Sequence, residues 1–144
     1  MNRRAAIAMS PGEVLDFLES ERVVTVATIG RDGWPHLMPL WFVVRDGECW
    51  GWTYGKSQKV RNLERDPRCT LQVEAGESYG ELRGVMIKAR AEIVHDASTV
   101  AEIGNALSAR YGDGSPVDAR VAAKRVALRF GVQSVASFDH RKLG

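Results

Sequence analysis

The sequence is poor in the residues that staple a small fold or hold a metal. It has two cysteines, Cys49 and Cys69, far apart and not in a CxxC pair. A disulfide scaffold is thereby excluded, and both read as small buried hydrophobes. The three histidines, His36, His95 and His140, show no metal-ligand spacing among themselves or with the cysteines, so no metal is expected. Charge of one sign is not in excess: the formal net charge is +2, and no nucleic-acid reading motif accompanies it, so no nucleic-acid partner is expected. No apolar run approaches the ~20 residues of a membrane span. The short run Ala5–Met9 falls below a signal-peptide core. A cytoplasmic protein without a membrane span is the expectation. Neither a G-x-G-x-x-G nor a G-x-S-x-G motif occurs. If the chain is an enzyme, a bound cofactor must supply the reactivity and the protein the positioning.

What is present is an ordinary globular composition, 44% hydrophobic and 26% charged over 144 residues. That length can bury a core without staples. A single domain over residues 1–144 is expected, with residues 1–9 as a loose arm. Ser10-Pro11-Gly12-Glu13 reads as a helix start with a capping box, and the helix ends near Glu21. From Val23 the period changes to two. Strands are expected over 23–29, 34–45, 48–54, 69–74, 84–95, 125–132 and, shortest, 134–138. The turns Asp32-Gly33 and Asp46-Gly47 join the first three into a meander. The second strand is expected to bend near Pro35 and Pro39. Helices are expected from Ser57 to about Asp66 and from Ala97 to Tyr111, with a helical turn from Val117 to about Ala123. The fold class is therefore mainly β with short helices: six or more antiparallel strands closing into a barrel, which removes exposed edges, or packing as a sandwich on the same pattern.

One segment carries a chemical signal: Trp50-Gly51-Trp52-Thr53-Tyr54-Gly55-Lys56-Ser57-Gln58-Lys59-Val60-Arg61-Asn62-Leu63. It runs strand, turn, helix start. Helix N-termini attract anions, and stability alone favours acidic residues there. Here Lys56, Lys59 and Arg61 crowd the start, while Glu64 and Asp66 lie toward the end. Lys59 and Asn62, three apart, share a face; Val60 and Leu63 anchor the helix; Ser57 is the N-cap. Either a bound anion or a solvated basic helix fits this pattern. Along the strand, Trp50, Trp52 and Tyr54 share one face, and Cys49, Gly51 and Thr53 the other. The aromatics suit a core, a ligand or a dimer interface. Gly51 and Thr53 leave room for a flat ring near the backbone.

The runs ATIGRDGWPHLMPLWFVVRDG, WGWTYGKSQKVRNLERDPR, SYGELRGVMIKARAEIV and KRVALRFGVQSVASFDHRKL resemble the pyridoxamine 5′-phosphate oxidase-like split-barrel superfamily. They look most like its actinobacterial branch of F420-dependent oxidoreductases. The resemblance implies a six-stranded antiparallel split β-barrel, a homodimer, and a cofactor at the subunit interface. It implies that Ser57, Lys59, Arg61 and Asn62, with Lys56 beside them, hold the cofactor phosphate. It places His36, Met38, Pro39, Leu40 and Trp41 along the cofactor ring, Trp52 and Thr53 on the strand beneath it, and Tyr79, Arg83 and Arg125 where the partner subunit contributes. Reduced deazaflavin F420 would give hydride to an electron-poor small molecule such as an enone, a quinone or a tetrapyrrole, with His36 and Tyr79 as proton-donor candidates. FMN is the alternative cofactor, and a non-catalytic flavin or haem carrier the alternative role. The closing run Ser137–Gly144 is not the segment that holds substrate phosphate in the oxidases proper, so vitamin B6 oxidation is not expected.

Overall fold

The computed structural model describes residues 2–144. Two helices lead in, α1 (Arg3–Ile7) and α2 (Pro11–Ser20). The segment expected to be a loose arm thus carries a helix, whose N-cap Asn2 accepts from the Arg4 N–H. The capping box of α2 forms as the sequence requires: Ser10 Oγ accepts from Glu13 N–H at 3.2 Å, and Ser10 N–H donates to Glu13 Oε1 at 2.9 Å.

Seven strands follow: β1 (Val24–Ile29), β2 (Pro35–Leu40), β3 (Val43–Arg45), β4 (Glu48–Tyr54), β5 (Arg68–Ala75), β6 (Arg83–Val94) and β7 (Arg125–Asp139). Helix α3 (Gln58–Arg65) lies between β4 and β5; α4 (Ala97–Tyr111) and α5 (Ala119–Ala122) lie between β6 and β7. Every pairing is antiparallel, in one sheet ordered β2-β1-β5-β6-β7-β4-β3. Among the described residues no helix is long and apolar enough to cross a membrane.

Seven strands exceed the six of the split barrel that the resemblance implies, and two of the expected spans have other bounds, each for a physical reason. The stretch 34–45 breaks at Trp41-Phe42, not at its prolines. Phe42 is fully buried, and its N–H and carbonyl bond to the Tyr111 hydroxyl on α4, at 3.2 and 2.8 Å. With both groups satisfied there, the ladder ends. Pro35 and Pro39 stay within β2 because it is an edge strand, where a missing N–H is tolerated. At the other end, the two strands expected over 125–138 are one. A register shift opposite Lys88/Ala89 adds one residue to β7, which bends the strand without ending it.

The two edge strands, β2 and β3, are joined by only two residues. A flat seven-stranded sheet would hold its edges ~29 Å apart, whereas three peptide steps reach about 11 Å. The sheet therefore curls until β2 and β3 face each other. They are not paired, so the barrel is split by a seam. At that seam Leu40 packs on Gly51: a Cβ there would come 2.7 Å from Leu40 Cδ2. The space that Gly51 was expected to leave for a flat ring is filled by the protein itself.

The inward faces of β1, β5, β6 and β7 build the main core, sealed by Phe17 and Leu18 of α2 and by Val60 and Leu63 of α3. A second apolar cluster lies outside the barrel, where Val100, Ile103 and Leu107 of α4 cover Val43, Ala127, Trp50 and Trp52. Two of the three strand aromatics thus fill a core. Gly104 admits Trp52, since a Cβ on it would clash with the edge of the indole ring at Cζ3.

Candidate functional site

Helix α3 lies at one end of the barrel, bonded to β4 on one side and to β1 on the other. Ser57 caps it weakly, its Oγ 3.4 Å from the Val60 N–H. No acidic residue occupies the first turn. Among the described residues the N–H groups of Gln58 and Lys59 have no bonded acceptor, as the opening of a helix leaves them.

Lys59 is only 9% exposed. Its Nζ donates to Thr53 Oγ1 on β4 at 3.0 Å. Among the described residues no carboxylate lies within ion-pair distance of it. Burial accordingly pushes its pKa below the ordinary lysine value. Asn62, one turn on, is fully buried and donates from Nδ2 to Thr28 Oγ1 on β1 at 3.0 Å. Its Oδ1 accepts from Gln58 Nε2 at 2.8 Å and from Arg65 at 3.2 Å. Arg65 also donates to the Ile29 carbonyl at 2.8 Å, so α3 is tied to β1 as well as β4. His36 stands opposite Thr28 in the β1–β2 register. Its Nδ1 is buried without a partner.

Thr28, Thr53, Lys59, Asn62 and His36 therefore form one polar set at the seam beneath the start of α3. It holds a buried cation without a counter-charge, a free ring nitrogen and free helix N–H groups. Such a set fits a phosphate: the costs of an uncompensated buried charge and of unmade hydrogen bonds are relieved by an anion. Among the described residues no cluster of His, Cys, Asp and Glu is placed to hold a metal ion.

The other sequence-predicted residues fall into three groups. Lys56 and Arg61 are exposed around the helix start, and Arg125 lies beside it. Arg125 pairs with Tyr54, its guanidinium stands 5.6 Å from the Trp52 ring centre, and the neighbouring Lys124 carbonyl accepts from Gly55 N–H at 2.8 Å. Met38 is on β2, on the same face as His36 and half exposed. Pro39, Leu40, Trp41 and Trp52 instead border an apolar cleft outside the barrel, against α4.

Tyr79 and Arg83 stand at the opposite end of the sheet. His36 aligns with Thr28, Cys69 and Ala89 across four strands, and Arg83 lies six residues before Ala89. That offset is ~20 Å along the strands. There Tyr79 packs on His140, 4.6 Å between ring centres, and its carbonyl lies 2.8 Å from His140 Nδ1. Arg83 lies over the Phe17 ring, with its Nε buried and unpartnered.

Sequence reasoning missed Thr28 and Arg65. Thr28 had a signal: it is the one hydroxyl in the inward series Val24, Val26, Thr28. Arg65 had none.

The family model described as pyridoxamine 5′-phosphate oxidase matches residues 10–139. The chain belongs to this family. A conserved hypothetical protein of Mycobacterium tuberculosis, Rv2991, is similar at 43% identity and a TM-score of 0.91, over 100% of this chain and 93% of its own. An F420 reductase is similar at 24% identity and a TM-score of 0.70, over 83% of this chain and 93% of its own. HutZ, a haem storage protein of Vibrio cholerae, is similar at 16% identity and a TM-score of 0.70, over 89% and 95%. At those two identities the likeness is one of fold. No protein of curated function matches the sequence.

Proposed function

We propose that this member of the pyridoxamine 5′-phosphate oxidase family holds the phosphate of a flavin-type cofactor at the start of α3 and works as an oxidoreductase, with deazaflavin F420 as the cofactor. The observation that carries the reading is Lys59: a lysine only 9% exposed, its ammonium group bonded to one hydroxyl and to no acid among the described residues. A bound phosphate supplies the missing charge. Ser57, Asn62 and the free N–H groups of α3 complete its cradle, with Arg61 at the rim.

Lys56, Lys124 and Arg125 extend the basic surface beyond the phosphate seat, and none of them is in an ion pair among the described residues. This supports F420, whose polyglutamate tail is anionic, over FMN, which lacks a tail. When bound, the cofactor supplies hydride to an electron-poor acceptor. The chain's part is to orient and to protonate. His36, whose Nδ1 is buried without a partner, is the candidate of this reading for the proton donor or for a hydrogen bond to the ring. Tyr79 and Arg83 stand too far away within one chain and reach the site only from a second copy.

The test is titration of the purified apo-protein with F420 and, separately, FMN, in wild type and Lys59→Ala. Tighter binding of F420, weakened by roughly ten-fold or more in the variant, is expected for a charge-assisted contact. Preferential FMN binding moves the protein to flavin chemistry. Equal affinity in wild type and variant overturns the phosphate seat.

A further inference from the structure

Outside the barrel, at the mouth of the same seam, a cleft opens between the Trp41-Phe42 link and the C-terminal half of α4. Its volume is about 650 Å³, within the range of small-molecule sites. Trp41, Trp52, Tyr111, Leu107, Pro39 and Val117 form its walls, and none of its lining residues carries a charge. Trp41 is 56% exposed with one face of its ring packed: it lies parallel to Tyr111, 4.7 Å between centres and 5° between planes. Tyr111 is itself fixed, its hydroxyl bonded to Phe42 and its ring beneath the Arg22 guanidinium at 4.7 Å.

The hydroxyl groups of the cleft are spent internally. The Tyr111 hydroxyl serves Phe42. The Ser108 hydroxyl donates to the Ser115 carbonyl at 2.8 Å, and the Val117 N–H donates to Asn105 Oδ1 at 2.9 Å. The cleft offers an occupant aromatic walls and, among the described residues, no side-chain hydrogen-bond donor left over except the indole N–H groups of Trp41 and Trp52. A charged or strongly polar molecule would lose most of its hydration there, with at most two indole N–H donors to replace it. A flat apolar one gains area burial and ring stacking.

We propose that this cleft binds a flat, uncharged, polycyclic small molecule. The binding claim stands without the cofactor. Its use as the acceptor's seat rests on the oxidoreductase reading, because Leu40 borders the cleft and also closes the seam over Gly51.

The test uses the full chain without cofactor, with xanthone and its charged analogue xanthone-2-carboxylate as probes, followed by tryptophan quenching. Saturable one-to-one binding of xanthone is expected, with the carboxylate weaker by about ten-fold or more. Val117→Trp fills the cleft while leaving the loop's backbone bond to Asn105 in place, and should weaken xanthone by a similar factor. Trp41→Ala removes an exposed wall and serves if the larger substitution disturbs folding. Lys59→Ala should leave xanthone binding unchanged. Non-saturable quenching, equal affinity for the carboxylate, or no response to either cleft variant overturns the proposal. So does a Val117→Trp protein that loses a subunit association while the wild type binds no xanthone, since the cleft is then an interface between copies. Cofactor titrations on the same samples separate the two readings: failure to bind F420 and FMN leaves this cleft untouched, and absence of xanthone binding leaves the α3 seat untouched.

Discussion

Lys59 carries a charge in a place nine-tenths removed from water, and the sign of its pH dependence follows from that. Burial lowers its folded-state pKa below the ordinary 10.5. Below the folded pKa both states are charged, and the folded state bears the full desolvation cost. Between the folded pKa and the ordinary value, the folded lysine has lost its proton and the unfolded one keeps it. The unfolded state then binds more protons, so stability rises with pH through that window. Lys59→Met should abolish the rise, stabilise the ligand-free protein at neutral pH, and weaken cofactor by roughly ten- to a hundred-fold. Thermal melts across pH, with and without cofactor, check all three. A variant that melts lower at neutral pH without ligand would mean that Lys59 is structural.

Gly104 poses a contest between two magnitudes. Alanine in mid-helix gains about 1 kcal/mol over glycine, but its Cβ would clash with the edge of the Trp52 indole. Overpacking a filled cluster costs about 1–3 kcal/mol, so Gly104→Ala should destabilise. In a Trp52→Phe background the clash is relieved, and the same change should become neutral or stabilising. A double-mutant cycle from urea denaturation measures the coupling.

Between elements, Arg110 is the main tie. Its guanidinium donates to the carbonyls of Leu18, Glu19 and Glu21, which close α2, and to the carbonyl of Phe42, where β2 gives way to β3. One side chain of α4 thus caps α2, whose last carbonyls have no partner within the helix, and fixes the strand break. Arg110→Met should cost roughly 2–4 kcal/mol, read as a lower urea midpoint at unchanged slope. Arg110→Lys should recover less than half, since an ammonium cannot spread over that arc of carbonyls.

This tie also shows where sequence reading stops. The capping box of α2, the Asp46-Gly47 turn with both residues at positive φ, and the span of α4 were readable because each is set by neighbours within a few residues. So was the shared face of Lys59 and Asn62. The break at Trp41-Phe42 was not, because its cause lies 68 and 69 residues away on α4. For the same reason Thr28 escaped notice as the partner of Asn62, and Leu40 as the group that fills the space at Gly51. Strand alternation showed the direction of Trp52, but not that α4 would lie over it and take it into a second core.

At the scale of the molecule, the offset of ~20 Å along the strands between His36 and Arg83 sets a condition on any site that uses both ends of the sheet. Two copies must lie so that the α3 end of one meets the Tyr79 end of the other. A twofold arrangement would do this twice and give two equivalent sites, each with Lys59 from one chain and Tyr79 and Arg83 from its partner. Mixing two variants tests it. In a heterodimer of Lys59→Ala with a Tyr79→Ala, Arg83→Ala chain, one site carries every lesion and the other carries none. Random assortment makes half of the dimers mixed, so the mixture should regain about a quarter of the wild-type cofactor sites. Each variant alone should show weakened binding at both sites. Equilibrium titration after unfolding and refolding the two together reads the fraction directly. A mixture that behaves as the plain average of its parents would place Lys59 and Tyr79 in separate functions, and the α3 seat would then have to be completed by the chain that carries it.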